Sequence, residues 1–213
     1  SEVSISAEVS SQYITALMLI SPKLPKGLIL KLIGKITSRP YIEMTKTLLE
    51  NVGYSVSFKL NSLEISNQRL SKRLNHIEIE SDWSSASYHY ALMAFAAEGE
   101  EIKLSNYRSH SIQGDAKLKE MYTHFGVRTI QSASNQITLQ KVSKPLTTYL
   151  ELDLIQQPDL AQSIAVTCVG LGISCHLTGL KTLKIKETDR LQALKVELEK
   201  LGVDVKITSS TLQ

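Results

Sequence analysis

The sequence predicts an α/β protein built from three successive copies of a β-α-β-α-β-β unit. The first observation is a repeat of about 74 residues, marked by similar phrases at residues 49–54, 122–127 and 199–203. Each phrase holds a glycine of the kind that ends a helix. The second observation is the spacing of the apolar residues, which alternates between the period of a strand and the period of a helix, in the same order in each copy.

The first copy, residues 1–76, holds every element of the unit. Ser10-Ser11-Gln12 opens its first helix, and Pro40 stands at the start of a second helix that Gly53 ends. Asn61-Ser62 is the expected turn of a closing hairpin. The predicted strands are residues 1–9, 28–33, 54–60 and 63–66.

The second and third copies repeat this order with shorter strands. The predicted helices are residues 86–97, capped by Asp82-Trp83-Ser84-Ser85, then 115–125, 158–169 and 188–201. The predicted strands are residues 77–80, 101–104, 127–132, 136–140, 149–152, 173–177 and 203–207. Residues 211–213 are expected inside the partner strand of the last hairpin, which predicts that the chain is part of a longer protein.

Composition and charge favour a globular protein with a small anionic ligand. Hydrophobic residues make up 42% of the 213 residues and charged residues 21%, which is ordinary for one large domain or two smaller ones. A net charge of +3 without a basic run argues against nucleic acid. Cys168 and Cys175 are expected to be free buried thiols. Because no signal peptide or membrane-spanning run is found, a cytoplasmic location is expected.

Residues 184–190 concentrate charge at the expected entry to the last helix. Thr188 is the predicted N-cap, and the free N–H groups of the first turn would favour an anion together with Lys186 and Arg190. These two cations would share one helix face if the helix already included Lys186. Glu187 should be ionised here unless it is buried, in which case it could act as an acid. An ordinary charged helix start is the alternative.

The first helix of each copy starts with small polar or acidic residues. Several helix starts that face one cleft would bind phosphate and carboxylate groups, although Ser and Asp are also preferred caps. Gln12 is better explained as a donor to a ligand than as a cap. Ser38 and Tyr41 offer a hydroxyl and a phenol before a helix, with a solvated loop as the alternative. Asp159, which follows Pro158 at a helix start, could accept a proton from a substrate hydroxyl.

With these stretches aligned, the chain resembles the 5-enolpyruvylshikimate-3-phosphate (EPSP) synthase family, also called 3-phosphoshikimate 1-carboxyvinyltransferases. Six motifs carry the resemblance, in family order and over the whole chain: residues 10–17, 38–42, 82–88, 111–115, 158–159 and 184–190. The family fold has two domains, each built from three β-α-β-α-β-β units. The resemblance therefore implies three of the six units, with residues 1–76 as the last unit of one domain and residues 77–213 as two units of the other, truncated at the C-terminus. The boundary is expected near residues 74–80.

The resemblance also implies a reaction and its residues. The family transfers the enolpyruvyl group of phosphoenolpyruvate to the 5-hydroxyl of shikimate 3-phosphate, releases phosphate and needs no metal or organic cofactor. The implied catalytic residues are Asp159, Glu187 and Lys186. Asp159 would deprotonate the hydroxyl, and Glu187 would protonate the methylene carbon of the enolpyruvyl group. Gln12 and Arg190 would contact phosphoenolpyruvate. The residues implied for shikimate 3-phosphate are Ser10, Ser11, Gln12, Ser38, Tyr41, Asp159 and Lys186.

Two departures from the family pattern limit this interpretation. Thr182 stands where the family often has an Asn, four residues before Lys186. The phosphate-binding and carboxylate-binding segments that the family has nearer both ends find no match, so the missing segments of the same enzyme are the expected partners and the chain alone is expected to be inactive. Two alternatives are a UDP-N-acetylglucosamine enolpyruvyl transferase and a non-catalytic binding module of the same fold.

Overall fold

The computed structural model describes residues 1–70, 76–132 and 135–213, and it confirms the α/β class. The described residues divide into two compact units, Ser1–Ile79 and Glu80–Gln213. Residues 74 and 75, at the start of the predicted domain boundary, lie outside the described residues. Within the described ranges, no helix is both long and apolar enough to cross a bilayer.

The first unit has the predicted β-α-β-α-β-β order. Its sheet has the strand order β1-β2-β4-β3, in which β1 and β2 are parallel and the other neighbours are antiparallel. Its elements are β1 (Glu2–Ser6), α1 (Ser11–Ile20), β2 (Leu28–Ile33), α2 (Arg39–Asn51), β3 (Tyr54–Lys59) and β4 (Ser62–Arg69). Leu28, Leu30 and Leu32 alternate into the core, where they meet buried residues of both helices, because successive strand residues point to opposite faces.

The second unit contains two separate sheets and four helices within its described residues. One sheet is antiparallel with the order β5-β7-β6, and the other is the parallel pair β8-β9. The elements are α3 (Trp83–Phe95), β5 (Glu101–Ser105), α4 (Leu118–Met121), β6 (Val127–Gln131), β7 (Gln136–Lys141), β8 (Tyr149–Asp153), α5 (Ala161–Leu171), β9 (Ser174–Thr178) and α6 (Arg190–Glu199). The largest core side chains are Trp83, Tyr90, Tyr122 and Phe125.

Both cysteines are free thiols, as predicted: Cys168 is buried and Cys175 is half-buried. Lys141 is a buried charged residue of this unit, with 4% of its surface exposed. Its Nζ donates to the carbonyl oxygens of Ala94 and Phe125, each at 2.7 Å, near the ends of two helical segments. Burial lowers the pKa of Lys141, and the two carbonyl groups compensate for its lost hydration.

The single helix predicted at residues 115–125 is broken into three short segments. Helix α4 is flanked by 3₁₀ turns at Gly114–Lys117 and Tyr122–Phe125. Side chains three residues apart eclipse each other in a 3₁₀ turn. Tyr122 and Phe125 can therefore both enter the core, and both are fully buried.

Two predicted strands do not form. Residues 77–80 carry the expected alternation, but Ile77 and Ile79 are exposed, so the burial that would stabilise a strand is missing. Residues 203–207 contribute one bridge, from Ile207 to Leu212. Leu212 also forms a bridge with Leu177 of β9. The last residues therefore pair as predicted, but through isolated bridges and not as a strand.

The loops that follow β8 and β9 approach each other closely at Gly179. This residue has a φ of +76°, and a Cβ placed there would collide with the backbone nitrogen of Ile155 and the carboxylate of Asp153. That carboxylate already accepts a hydrogen bond from the Ile155 N–H at 3.0 Å. Only a residue without a side chain fits between the two loops without backbone movement.

We expect Gly179→Ala to lower the free energy of unfolding of the second unit by about 3 kcal/mol, from left-handed strain plus a backbone collision. Gly172→Ala is the matched control, because Gly172 has a φ of +67° and no atom within 4 Å of the added Cβ. Strain alone should cost about 1 kcal/mol there. Denaturant titration followed by the fluorescence of Trp83, the single tryptophan of the sequence, measures both. Equal losses would contradict the collision.

Candidate active site

In the first unit, the predicted ligand-binding residues lie in the connections that follow β1 and β2, at one edge of the sheet. The carboxyl ends of parallel strands meet at the same edge, and α1 and α2 follow β1 and β2 from that edge. The two connecting loops are joined there, because the N–H and the hydroxyl of Thr37 both donate to the Ala7 carbonyl oxygen, at 3.4 and 3.3 Å. The predicted residues in these loops and first turns are Ser10, Ser11, Gln12, Ser38 and Tyr41.

The serines of this group have mainly backbone roles, while Gln12 is exposed. Ser10 is the N-cap of α1, and its hydroxyl accepts the Gln12 N–H at 3.2 Å. Ser11 is buried beside it. Ser38 is the N-cap of α2 with φ 52° and ψ 38°, and its carbonyl oxygen accepts the Tyr41 N–H at 3.1 Å. A non-glycine residue in this conformation stores strain, which is a frequent feature of functional sites.

In the second unit, the parallel pair β8-β9 positions Asp159 and the charged motif in the same way. A 3₁₀ turn at Pro158–Leu160 follows β8, and another at Lys181–Ile185 follows β9 before α6 begins at Arg190. Both connections leave the carboxyl edge of the pair. Asp159 and Arg190 are 31 positions apart in the sequence, and this arrangement brings them into direct contact.

The guanidinium group of Arg190 bridges the two carboxylates that were predicted to be catalytic. Its Nη1 donates to Asp159 Oδ1 at 3.0 Å, while Nε and Nη2 donate to the Glu187 carboxylate at 2.7 to 2.9 Å. Lys186 Nζ lies 3.4 Å from the same Asp159 oxygen. Two cations and two carboxylates thus form a cluster whose formal charges cancel. Asp159 Oδ2 has no hydrogen-bond partner within the described residues, so one oxygen is available to accept a proton.

This cluster borders a cleft of about 660 Å³ at the starts of three helices. The positive ends of the dipoles of α3, α5 and α6 favour anions at this position. Side chains already accept the first three N–H groups of α3 and one N–H of α6. The polar lining residues near these starts are Asp82, Ser84, Ser85, Asp159, Gln162, Ser163, Glu187 and Arg190. A second cavity of about 460 Å³ is lined mainly by apolar side chains and contains none of the predicted site residues.

The predicted N-cap of the last helix is wrong by one residue. Asp189, not Thr188, is the N-cap, and its carboxylate accepts the Gln192 N–H at 3.0 Å. An ionised cap is favoured by the positive end of the helix dipole, and Lys184 lies 3.8 Å from it. Lys186 is therefore extended and outside the helix, so it does not share a helix face with Arg190. Both cations nonetheless reach Asp159.

Glu187 is held in its ionised form. The backbone N–H of Glu187 itself and then the Arg190 guanidinium lower the pKa of this carboxyl below its ordinary value of 4.5. Its side chain is 68% exposed, so burial does not oppose this effect appreciably. A carboxyl that gives up a proton near neutral pH needs the opposite shift. Glu187 can serve as an acid only after Arg190 has turned to another anion.

A network distant in sequence supports the start of α3. The Asp82 carboxylate accepts the N–H groups of Ser84 and Ser85, and Gln113 Oε1 accepts the Trp83 N–H at 2.9 Å. Ser84 donates its hydroxyl to the buried carboxylate of Asp115. The motif at residues 111–115 therefore holds the helix start in place, and its residues do not themselves line the cleft.

Several residues that line the cleft were not predicted from the sequence. Gln162 lies three residues after Asp159, and Glu197 lies seven after Arg190, so helical spacing was the signal that could have identified them. Thr182, the departure from the family pattern, is 3% exposed and does not line the cleft. Within the described ranges, His, Cys, Asp and Glu side chains do not gather in groups of three that could hold a metal ion. The cofactor-free reaction stays a prediction.

Comparison with known proteins gives consistent matches along the chain. A family model described as EPSP synthase (3-phosphoshikimate 1-carboxyvinyltransferase) matches residues 1–213. A 3-phosphoshikimate 1-carboxyvinyltransferase of Bacteroides fragilis is 41% identical over 205 residues, which are 95% of this chain and 48% of the relative. Another from Marinomonas sp. is 31% identical over 211 residues, which are 96% of this chain and 47% of the relative.

A solved structure of EPSP synthase from Acinetobacter baumannii is similar to the chain, with a TM-score of 0.69 and 16% identity. The match covers 100% of this chain and 48% of that one. At this identity the likeness shows the fold, and it confirms the fold predicted from the repeats. The chain spans about half the length of the curated relatives it matches.

We expect Arg190→Gln to raise the pKa of Glu187 part of the way towards 4.5, because the backbone donor remains after the guanidinium is lost. A lowered pKa means that the ion pair stabilises the fold above about pH 4.5 and loses this effect as the pH falls through the lowered value. Carbon-detected NMR titration of the side-chain carboxyl measures the shift. Lys200→Gln is the control, since Lys200 pairs with Glu197 on α6. An unchanged Glu187 pKa in Arg190→Gln would contradict the bridge.

Proposed function

The chain belongs to the EPSP synthase family, and on that premise we propose that it serves in enolpyruvyl transfer from phosphoenolpyruvate to shikimate 3-phosphate. The acceptor is the 5-hydroxyl group, and phosphate is released. The cytoplasmic location expected from the sequence is part of this proposal. So is the assignment of residues 1–76 to one family domain and of residues 77–213 to the other.

The single observation that carries the proposal is the bridged pair of carboxylates at the cleft of the second unit. Asp159 and Glu187 are far apart in the sequence, yet the Arg190 guanidinium contacts both. Asp159 and Glu187 balance the charges of Lys186 and Arg190, and both cations can turn from these carboxylates to anionic substrates beside three helix starts. Two anionic substrates need such charge compensation before they can be held next to each other.

The proposed proton transfers follow from this arrangement. Asp159 takes the proton of the 5-hydroxyl group while the oxygen of that hydroxyl bonds to the central carbon of phosphoenolpyruvate. Glu187 gives a proton to the methylene carbon. The resulting methyl group must lose a proton again when the carbon–oxygen bond to phosphate breaks, because the product carries an enolpyruvyl group. Arg190 binds the phosphoenolpyruvate anion, which releases Glu187 from its ion pair and favours protonation of that carboxyl.

The first unit contributes further substrate contacts in this proposal. Gln12 is exposed at the start of α1 and can donate to either substrate. The remaining contacts to shikimate 3-phosphate are assigned to Ser10, Ser11, Ser38, Tyr41 and Lys186. The relatives are about twice as long as this chain. We therefore propose that turnover also needs residues that the relatives supply from the other half of their length.

Ligand binding tests the substrate assignment on the 213-residue chain. We expect isothermal titration calorimetry to detect binding of shikimate 3-phosphate and no binding of UDP-N-acetylglucosamine, because the cleft offers cations and helix starts for a compact phosphorylated ligand. Binding of the nucleotide sugar alone would move the chain to the other enolpyruvyl transferase reaction. Binding of neither would remove the support for both.

Turnover tests the two carboxylates in the complete gene product. We expect Asp159→Asn and Glu187→Gln each to reduce phosphate release from phosphoenolpyruvate by about 10²- to 10⁴-fold, the range of general acid–base catalysis. Glu199→Gln is the matched control, because Glu199 lies on α6, pairs with Lys195 and does not line the cleft. Normal turnover in either carboxylate variant would falsify its catalytic role. Binding without turnover in the wild-type product would favour a non-catalytic module.

A further inference from the structure

The two cysteines of the sequence lie together in the second unit, and the proposed reaction uses neither of them. Cys168 is buried in the last turn of α5, whereas Cys175 is half-buried in β9. Gly172, with a φ of +67°, reverses the chain between the helix and the strand. The Ile173 N–H then donates to the Cys168 carbonyl oxygen at 2.9 Å. The strand is thereby turned back along the helix that precedes it.

The side chain of Cys175 lies on the face of β9 that α5 covers. Ile173 and Leu177 are buried, and Ser174 between them is exposed. Because successive strand residues point to opposite faces, Cys175 shares the core-facing side with these two residues. The Cys168 thiol donates a hydrogen bond to the Cys175 sulfur. The two sulfur atoms are therefore in direct contact while both are reduced.

This contact makes the two thiols chemically different. The hydrogen bond from Cys168 lowers the pKa of Cys175 below its ordinary value of 9.0, because it stabilises the thiolate. The same bond, together with burial, raises the pKa of Cys168. The thiolate is the nucleophilic form of cysteine. Cys175 is thus the sulfur that reacts first, and Cys168 keeps its proton until a later step.

Exposure favours the same order of reaction. Cys175 lines the cavity of about 460 Å³, and this space admits a small oxidant. Cys168 has none of its surface exposed, so an external reagent reaches it only through Cys175. An accessible thiol of lowered pKa beside a second thiol is the arrangement of a redox-sensitive cysteine and its resolving partner. Two inert core thiols would both be closed to solvent.

We propose that Cys168 and Cys175 form a peroxide-sensitive dithiol that is converted into a disulfide within the chain. In the first step the Cys175 thiolate attacks one oxygen of hydrogen peroxide. An S–O bond forms, the O–O bond breaks and hydroxide leaves, so that Cys175 becomes a sulfenic acid. In the second step the Cys168 sulfur attacks the Cys175 sulfur. The S–S bond forms, the S–O bond breaks, and the released hydroxide takes the Cys168 proton to give water.

The electrons balance between the dithiol and the peroxide. Two thiols and one hydrogen peroxide give one disulfide and two water molecules, so the sulfurs are oxidised and the peroxide is reduced. The disulfide would join α5 directly to β9 within the crossover connection that starts at Asp159. The inference goes beyond the proposed function and does not depend on it.

Mass spectrometry of the 213-residue chain tests this conversion, because the sequence contains only these two cysteines. The folded chain is treated with hydrogen peroxide, denatured, and alkylated at any remaining thiol. We expect a monomer that takes up no alkyl group and is about 2 Da lighter than the reduced chain, from the loss of two hydrogen atoms. Dithiothreitol should restore both thiols. Two alkylated thiols after peroxide treatment, or a disulfide only between two chains, would overturn the proposal.

Cys168→Ala and Cys175→Ala are a matched pair that tests the order of the steps. Cys168→Ala should stop at the sulfenic acid of Cys175, which dimedone traps. Cys175→Ala should leave a thiol that reacts about 10-fold or more slowly with peroxide, because Cys168 is buried and has a raised pKa. Trp83 fluorescence checks that each variant is folded. Equal reaction rates in the two variants would overturn the assignment of Cys175 as the attacking thiol. No substrate is present, so this result and the test of enolpyruvyl transfer stand or fall separately.

Discussion

The parallel pairing of two short strand pairs is the constraint on which the positions of the candidate ligand-binding residues depend. A parallel pair needs a crossover connection, and both of its carboxyl ends lie at one edge. In the first unit this brings the starts of α1 and α2 to the edge of β1 and β2. In the second unit it brings Asp159 and Arg190 to the edge of β8 and β9. Repetition of one unit has thus produced the same arrangement in each compact unit.

Charge compensation is the second organising feature. A carboxylate close to another carboxylate is unfavourable unless a cation lies between them, and Arg190 fills this role for Asp159 and Glu187. The same guanidinium cannot fully engage an anionic ligand while it makes these contacts. In the proposed reaction, ligand binding and the protonation of Glu187 would therefore be linked through the Arg190 side chain.

Half-buried polar groups outside the cluster keep the start of α3 in a fixed position. The Glu80 carboxylate accepts the indole N–H of Trp83 at 2.8 Å and the Ser111 hydroxyl at 2.8 Å, which ties the start of α3 to a distant loop. Gln113 extends this connection to the backbone of Trp83 and Ser81. Satisfied groups of this kind make a rigid support.

The sequence by itself determined the repeat order, the α/β class and most helix and strand positions, because hydrophobic period, capping residues and helix-ending glycines are local signals. It also selected Asp159, Glu187 and Arg190 as candidates. Only the tertiary structure decided that one guanidinium bridges both carboxylates, that Asp189 replaces Thr188 as the cap, and that residues 77–80 form no strand. Those outcomes depend on contacts between residues distant in sequence and on which apolar faces find a partner. Local periodicity contains neither kind of information.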